Sequence, residues 1–439
     1  MTNDRYVAAI EISSSKIIAA VGKMHPDGNL DIIASEQERG VESVRYGIIR
    51  NLEETSMRIN RVLDRLQMKP SVAPREITGV FVGLSGRSLR SIRTEVELTL
   101  PDETEITDDI LARLKEQALD AVIDSSLEVV DAIPRIYYVG SAETFSPKGA
   151  VGNQIKAVYD LIVCRPEMRR NLTRTLVDKI GIDIKGFVVT ALGTAQVVLT
   201  PDEKRLGCML VDMGAETTTV TIYKNGGLVY YATIPLGGRV ITQDITSLNV
   251  LEEHAEEMKI SSGNAIARDT SYSVNMHGIK TSDINNLISS RAEEIVANIV
   301  EQIRYAGLQD SELAAGIICT GGGSKLNGMT ELLSRQTDLK VRTGHLGSCV
   351  RLEEIKSPSS EIIQVAGILY AGASKSDAEC LEMPGDELPI TGEGPEPATE
   401  TGEEPREPRK RNRSLIDKFK QRVTEIFSGT DEDDSDLLE

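Results

Sequence analysis

Glu11 and Asp212 each stand just before a short run of small residues that separates two apolar strands. The first run is Ser13, Ser14, Ser15 and Lys16, and the second is Gly214, Ala215, Glu216, Thr217 and Thr218. A tight turn of small residues leaves backbone N–H groups pointing outward, where they can cradle a phosphate. A carboxylate just before such a turn is suited to hold a magnesium ion or its waters. The two hairpins therefore predict two half-sites that grip one magnesium-bound polyphosphate.

Two later segments could complete a nucleotide site. An apolar strand ends in Gly321, Gly322, Gly323 and Ser324, and consecutive glycines let the backbone approach a flat ligand such as adenosine. Glu256 and Lys259 share one face of a helix predicted over residues 251–260, where they could hydrogen-bond a ribose. Each segment alone also fits an ordinary hairpin, loop or solvated helix face. Their order along the chain favours the nucleotide site.

Hydrophobic patterns define the elements that would carry these residues. Between residues 84 and 164 the pattern changes and predicts an inserted α+β module. Residues 88–100 alternate as a strand, Thr107 is the predicted N-cap of a helix, and strands follow at 135–139 and 156–163. A long helix is predicted over residues 284–304.

The ordered set of motifs resembles the actin, Hsp70 and sugar-kinase superfamily and, within it, the FtsA family of bacterial cell-division proteins. The resemblance covers about residues 5–374 and a tail of the family's type. It is carried by Ala9 to Lys16, Val211 to Gly214 with Thr217 and Thr218, Ile234 to Gly238 with Thr242, Asp244 and Ile245, Ala255 to Lys259, Thr320 to Ser324, and Gln364 to Ile368. Departures from the Asp and Gly residues usual in the two turns are Glu11, Ser13, Ala215 and Glu216. Glu216 would oppose the phosphates unless a cation intervenes or its side chain swings outward.

The resemblance implies a two-lobed α/β fold of the actin/Hsp70 type, with an inserted small α+β subdomain, a disordered acidic linker and a C-terminal amphipathic helix. The implied segments are subdomain 1A in residues 1–83, 165–203 and 355–374, the inserted subdomain 1C in 84–164, subdomain 2A in 204–245 and 305–354, subdomain 2B in 246–304, the linker in 375–408, a membrane-targeting helix in 409–428 and an acidic tail in 429–439.

The same resemblance implies a function in cell division. Such a protein binds ATP with magnesium, self-assembles, and anchors filaments of FtsZ, which form the Z ring, to the cytoplasmic face of the inner membrane at the septum. Its subdomain 2B binds the C-terminal tail of FtsZ, for which the candidate basic contacts are Arg268, Lys280, Arg291 and Arg304. Its inserted subdomain contacts the neighbouring protomer or later division proteins.

Hydrolysis is expected to be slow or absent. Hydrolytic relatives place Gln or Glu after the strand that links the two lobes, where it orients the attacking water. Residues 188–195 contain no carboxylate, and Gln196 follows on a predicted helix. No catalytic residue is therefore assigned. A small-molecule kinase of the same superfold and an adaptor similar to PilM of pilus assembly remain as alternatives.

The end of the sequence carries an independent signal. Residues 375–408 are rich in Glu, Pro, Gly and Thr, which predicts a disordered tether. A basic cluster follows, made of Arg409, Lys410, Arg411 and Arg413, and then an apolar stripe of Leu415, Ile416, Phe419, Val423, Ile426 and Phe427 with flanking Lys418, Lys420 and Arg422. This pattern is typical of a helix that lies in the interface of an anionic membrane. A helix that docks onto a partner protein is the alternative.

Composition excludes several classes of protein. The 439-residue chain has a formal net charge of −19, which argues against a nucleic-acid partner. Its five cysteines have no C-x-x-C spacing, so neither a zinc site nor a disulfide framework is indicated, and reduced thiols fit the cytoplasm. The polar start predicts a strand rather than a signal peptide. The sequence contains no run of eighteen apolar residues, so no membrane-spanning helix is predicted.

Overall fold

The strands and helices of the protein follow the hydrophobic patterns closely. The computed structural model describes residues 4–266, 274, 278–353 and 359–384. The strands are β1 (Arg5–Ile12), β2 (Lys16–Met24), β3 (Leu30–Arg39), β4 (Val44–Arg45), β5 (Ile48–Ile49), β6 (Glu76–Ile77), β7 (Gly79–Leu84), β8 (Arg90–Glu105), β9 (Glu128–Val139), β10 (Ala142–Thr144), β11 (Val151–Cys164), β12 (Asp183–Val189), β13 (Cys208–Met213), β14 (Thr218–Lys224), β15 (Gly227–Ile234), β16 (Gly316–Thr320), β17 (Val341–Thr343), β18 (Val350–Leu352) and β19 (Leu381–Glu382). The α-helices are α1 (Leu52–Gln67), α2 (Asp108–Leu119), α3 (Pro166–Thr173), α4 (Thr190–Val198), α5 (Pro201–Leu206), α6 (Gly238–Thr246), α7 (Glu252–Ser262), α8 (Thr281–Tyr305), α9 (Met329–Thr337) and α10 (Ser359–Lys375).

The first central sheet has the strand order β12-β7-β1-β2-β3-β18. Strands β1, β2 and β3 are antiparallel neighbours, whereas β7 joins β1 and β12 joins β7 in parallel. Helices α1, α4 and α10 pack on this sheet and share its hydrophobic core. Sheet and helices together form the first lobe.

The second central sheet repeats this plan. Strands β13, β14 and β15 are antiparallel neighbours, and β16 and β17 continue from β13 in parallel. Helices α6, α7, α8 and α9 share a separate hydrophobic core with these strands. They form the second lobe, so the two lobes present equivalent hairpins, β1–β2 and β13–β14.

The inserted module lies between β7 and α3 in the chain. Its strands run antiparallel in the order β10-β9-β11-β8, and α2 packs on them around a third core. A single residue pair, Arg90 with Ala232, joins β8 to the edge strand β15 of the second lobe. The prediction of an α+β insertion is confirmed. Thr107 occupies the N-cap position of α2, although its side chain makes no capping hydrogen bond.

The folded chain extends further than the predicted start of the linker. Residues 375–384 were expected to be part of a disordered tether, but Leu381–Glu382 pairs with Glu76–Ile77, and Cys380 is buried. The Cys380 carbonyl accepts hydrogen bonds from the backbone N–H groups of Thr78 and Gly79. This short run carries two apolar residues that a partner strand can cover. The prediction that the linker begins at residue 375 is therefore wrong, because residues 375–384 belong to the folded part of the chain. The rest of the predicted linker and the predicted membrane helix lie outside the described residues.

Candidate nucleotide and magnesium site

The first hairpin carries a buried carboxylate, that of Glu11, which lies close enough to Asp212 of the second hairpin to feel its charge. Glu11 is only 7% exposed, and its Oε2 has no hydrogen-bond partner. Burial raises the pKa of Glu11, the Lys16 ammonium opposes that rise, and the charge of Asp212 adds to it. The β1–β2 turn is closed by the Ser13 backbone N–H and hydroxyl, which both donate to the Lys16 carbonyl, at 3.0 and 2.9 Å.

The second hairpin places Asp212 opposite Glu11. The Thr320 hydroxyl and the Gln364 amide both donate to Asp212 Oδ1, at 3.2 and 2.9 Å. Burial raises the pKa of Asp212, and these two donors limit the rise. Gln364 belongs to α10 of the first lobe, so this contact ties the second hairpin to the first lobe.

The two carboxylates fit a divalent cation. A buried carboxylate oxygen without a donor is costly unless a positive charge compensates it, and Glu11 Oε2 is such an atom. The described residues contain no cluster of three or more His, Cys, Asp or Glu side chains suited to a metal. A magnesium ion at Glu11 and Asp212 would therefore take the rest of its oxygen ligands from phosphate and water, as it does in many phosphate sites.

Glu216, expected to bring negative charge to the phosphates, lies between two arginines. Its side chain is buried, and it pairs with Arg45 Nε at 2.5 Å and with Arg239 Nη1 at 3.1 Å. The backbone N–H of Tyr46 donates to Glu216 Oε2 at 2.5 Å. The cation that the sequence analysis required is therefore present, and it comes from the protein itself.

Hydrogen bonds made by the other residues of the second turn fix the conformation of its backbone. The Gly214 N–H donates to the Thr217 carbonyl at 2.8 Å, and the Ala215 carbonyl accepts from the Arg239 N–H at 2.7 Å. The Thr218 hydroxyl donates to the Leu236 carbonyl at 2.7 Å. These bonds fix the second turn against the start of α6.

Two glycines at the start of α6 permit this close approach. A Cβ on Gly237 would lie 2.6 Å from the Ala215 carbonyl, so no side chain fits there. A Cβ on Gly238 would lie 3.5 Å from Lys259 Nζ and 3.9 Å from Gly323 Cα. The second turn, α6, α7 and the glycine run after β16 therefore meet at one place.

Glu256 and Lys259 face α6 as a pair. Lys259 Nζ donates to Glu256 Oε2 at 2.6 Å, to Thr242 Oγ1 at 2.9 Å and to the Gly238 carbonyl at 3.0 Å. Burial lowers the pKa of Lys259, and the Glu256 carboxylate opposes that change. The predicted helix is confirmed as α7, and its polar face contacts α6.

The glycine run after β16 leaves open space at Gly322. Gly321 has φ of +83°, and a Cβ there would lie 2.6 Å from Asp212 Oδ1. No heavy atom lies within 4 Å of the Cβ position of Gly322, which is exposed. The Ser324 hydroxyl, which is buried, donates to the Gly321 carbonyl at 2.8 Å. A flat ligand could stack against the open backbone at Gly322.

Sequence reasoning missed several residues of this site. The residues that it did not assign there are Arg45, Tyr46, Arg239, Thr320 and Gln364. Signals were present for three of them, because Arg239 follows Gly237-Gly238, and because Thr320 and Gln364 each open one of the motifs that carried the resemblance. Nothing in the local sequence marks Arg45 and Tyr46, which come from a small hairpin of the first lobe.

The basic residues considered for the FtsZ tail differ in their surroundings. Arg291 forms a two-point ion pair with Asp244, at 2.6 and 3.0 Å, and Arg304 pairs with Glu301. Lys280 is exposed, and Arg268 lies outside the described residues. The membrane-binding residues predicted between 409 and 427 also lie outside them.

Comparison with known proteins gives consistent results over most of the chain. A family model described as cell division protein FtsA matches residues 209–365, and a model described as the SHS2 domain inserted in FtsA matches residues 86–163. The cell division protein FtsA of Porphyromonas gingivalis W83 is 29% identical over 83% of this chain and 77% of its own length. The FtsA of Pseudomonas aeruginosa PAO1 is 26% identical over 87% of this chain and 93% of its own length.

A solved structure supports the fold independently. A chain of a PilM–PilN type IV pilus biogenesis complex superposes with a TM-score of 0.62 and 14% identity, over 83% of this chain and 98% of that chain. At that identity the likeness concerns the fold alone. The two family models and the curated relatives lead to one conclusion: this chain belongs to the FtsA family of bacterial cell-division proteins.

Proposed function

We propose that this chain binds ATP with magnesium between its lobes, self-assembles, and anchors FtsZ filaments to the cytoplasmic face of the inner membrane at the septum, where it helps recruit later division proteins. The observation that carries the nucleotide part is the partnerless buried oxygen of Glu11, which faces Asp212 across two turns of the phosphate-cradling type. Family membership supports the division part.

Each group of residues has a role in that proposal. Glu11 and Asp212 would hold the magnesium ion, which neutralises phosphate charge when bound. The Ser13 and Gly214 N–H groups close the two turns, so the backbone N–H groups at Ser14–Ser15 and Ala215–Thr217 are the ones that would face the phosphates. Glu256 and Lys259, already fixed to each other and to α6, hold the ribose side of the cleft. The open backbone at Gly322 accommodates the base.

Slow turnover follows from the connection between the lobes. The segment after β12 continues directly into α4, whose first residue is the buried Thr190. Gln196 falls within α4, as predicted, and no carboxylate occurs between residues 188 and 195. Without a side chain to orient water, phosphate release is expected to stay barely above background in a steady-state assay. A robust ATPase would refute this part of the proposal.

Membrane attachment rests on the tail sequence. Among the described residues, no helix combines the length and hydropathy needed to cross a bilayer. The basic cluster and apolar stripe of residues 409–427 provide the attachment in this proposal. Each basic residue near an anionic leaflet adds about 1 kcal/mol of attraction.

Liposome co-sedimentation tests the membrane part. Phe419→Glu with Ile426→Glu removes two apolar side chains that are each worth roughly 1.5–3 kcal/mol when buried. This variant should no longer co-sediment with anionic liposomes. The matched control is Ser414→Glu with Gln421→Glu, which adds the same charge on the opposite face of the predicted helix and should retain most binding.

Binding of the FtsZ tail peptide in solution completes that test. The body of the double variant is unchanged, so its affinity for the peptide should equal that of the wild type. If the double variant still pelleted with liposomes, or lost the FtsZ peptide, the tail would be a protein-docking helix. Calorimetry with ATP, with and without magnesium, tests the nucleotide part.

A further inference from the structure

Glu216 of the second lobe makes direct contacts with the first lobe. It belongs to the β13–β14 turn of the second lobe, yet two of its three donors, Arg45 Nε and the Tyr46 N–H, belong to the first lobe. The residue is 4% exposed, so its charge is shielded from solvent. A buried carboxylate that loses its partners is left with an uncompensated charge, which makes separation of these groups costly.

The first-lobe side of this contact is held by close packing. Tyr46 and Gly47 have positive φ, of +52° and +80°, and form the tip of the β4–β5 hairpin. The Tyr46 carbonyl accepts from the Arg87 N–H at 3.2 Å, and a Cβ on Gly86 would lie 2.6 Å from it, so the tip is packed against the first lobe. A movement of one lobe must therefore strain the contact rather than be absorbed by a loose loop.

Arg239 adds a second crossing beside the first. Its guanidinium pairs with Glu216 through Nη1 and donates through Nη2 to the Ser14 carbonyl, at 3.2 Å. Ser14 lies in the first phosphate-cradling turn. The same ion pair thus holds together the tips of both hairpins.

We propose that Glu216, with Arg45, Tyr46 and Arg239, is an interlobe latch that limits opening of the cleft and so sets the rate at which nucleotide leaves it. The inference rests on the proposed nucleotide site and adds a residue set that controls exchange. Opening of lobes or lids commonly limits ligand release. The latch slows dissociation because its charge-assisted hydrogen bonds must break before the lobes separate.

Arg45→Gln is the principal test, because the Arg45 side chain is 45% exposed and forms its ion pair with Glu216. Dissociation of a fluorescent ATP analogue, chased with excess ATP in the presence of magnesium, should become about tenfold faster, as expected for the loss of one charge-assisted hydrogen bond. The matched control is Arg50→Gln, because Arg50 is 49% exposed and its 3.3 Å pair with Glu167 lies within the first lobe. This control should release the analogue at the wild-type rate.

A double-mutant cycle identifies the partner. If Arg45 acts through Glu216, the variant Arg45→Gln with Glu216→Gln should release nucleotide no faster than the faster single variant. Additive effects would show that Arg45 acts elsewhere. Arg45→Gln with a dissociation rate within twofold of the wild type would overturn the latch.

Hydrogen exchange of the nucleotide-free protein separates this inference from the proposed function. If the wild-type protein bound no ATP analogue, the proposed nucleotide site would be refuted. The latch would then be tested by the hydrogen-exchange rate of the Tyr46 amide, which donates to Glu216. Glu216→Gln and Arg45→Gln should both speed that exchange, whereas Arg50→Gln should not. Unchanged protection in both variants, with unaltered thermal unfolding, would refute the latch.

Discussion

The backbones of the two hairpins have the same geometry, but their charged side chains have different surroundings. Glu11 and Asp212 are each the second-to-last residue of their strand, and they pair across the hairpin with Ile18 and Thr219. Each turn is closed by the same bond, from Ser13 N–H to the Lys16 carbonyl and from Gly214 N–H to the Thr217 carbonyl. The repeated sheet topology therefore places equivalent backbone around the cleft.

Their side chains divide the work of the cleft. Glu11 keeps one oxygen without a donor, whereas Asp212 accepts two hydrogen bonds on one oxygen. Ser15 of the first turn corresponds in position to Glu216 of the second, which crosses to the first lobe. The first hairpin leaves a charge available for a cation, and the second hairpin uses its charges to hold the lobes together.

The largest expected effect comes from Asp212→Ala. If both carboxylates hold magnesium, this variant should lose magnesium-dependent ATP binding by about 100-fold or more, since even a second-shell change costs 10–100-fold in metal affinity. Calorimetry with and without magnesium measures the loss. Asp202→Ala, at a side chain that is 77% exposed, is the control and should bind as the wild type does. Unchanged binding by Asp212→Ala would remove the second hairpin from the metal site.

Gly321→Ala should disturb the support of the second hairpin. Its backbone is left-handed, which costs an L-residue about 1–2 kcal/mol, and a Cβ would also meet the Met213 carbonyl and Asp212 Oδ1. The free energy of unfolding in urea should fall by at least that amount. Gly322→Ala is the matched control, because Gly322 has φ of −65° and open space around its Cβ position. Equal stability of the two variants would contradict the role assigned to the β16 turn.

Glu11→Gln should make the protein more stable and less able to use magnesium. Removing a buried charge that has one oxygen unpartnered should raise the free energy of unfolding at pH 7 by about 1 kcal/mol. Because burial raises the pKa of Glu11 in the folded protein, its cost is present at neutral pH and disappears as the pH falls towards the unfolded value of about 4.3.

The comparison between the hairpins supplies the control for that variant. Asp212→Asn should bring a smaller gain, because Thr320 and Gln364 already satisfy one oxygen of Asp212. Urea unfolding of both variants at pH 7 and pH 5 measures the difference. An Asp212→Asn gain equal to that of Glu11→Gln would show that the two carboxylates have the same surroundings.

Local sequence patterns predicted the elements better than they predicted the contacts between lobes. The small-residue turns, the N-cap position of Thr107 and helix α7 are visible in periods of two and 3.6 and in turn composition. Tyr46 and Glu216 are 170 residues apart, and their contact depends on how two independently built lobes meet. No local pattern encodes such a contact.

The boundary of the folded chain shows the same limit. Residues around Cys380 and Leu381 were placed in a tether because Glu, Pro and Gly dominate the region as a whole. Their order comes from pairing with β6, about 300 residues earlier in the chain. Composition averages over a window, so it misses a two-residue strand whose partner is distant.

The smallest predicted effect concerns the far ends of the hairpins. At the end of β2, His25 lies between two carboxylates, with Nε2 2.7 Å from Asp31 Oδ2 and Nδ1 2.8 Å from Asp4 Oδ1, and Lys23 also pairs with Asp4. At the corresponding end of β14, Lys224 pairs with Glu312. Only the first of these pairs contains a group that titrates near neutral pH.

The hydrogen bonds to Asp31 and Asp4 raise the pKa of His25 above its ordinary value of about 6.5. The protonated ring therefore stabilises the fold fully below pH 6.5, and this contribution is lost as the pH rises through the higher pKa of the folded state. Urea unfolding between pH 6 and pH 9 should show that the stability difference between the wild type and His25→Gln shrinks as the pH rises. Lys224→Gln is the comparison at the other hairpin, and its stability difference from the wild type should change less with pH, because the Lys224–Glu312 pair contains no histidine. A constant difference for His25→Gln would mean that the ring stays neutral between its two carboxylates, and the far ends of the two hairpins would then respond to pH alike.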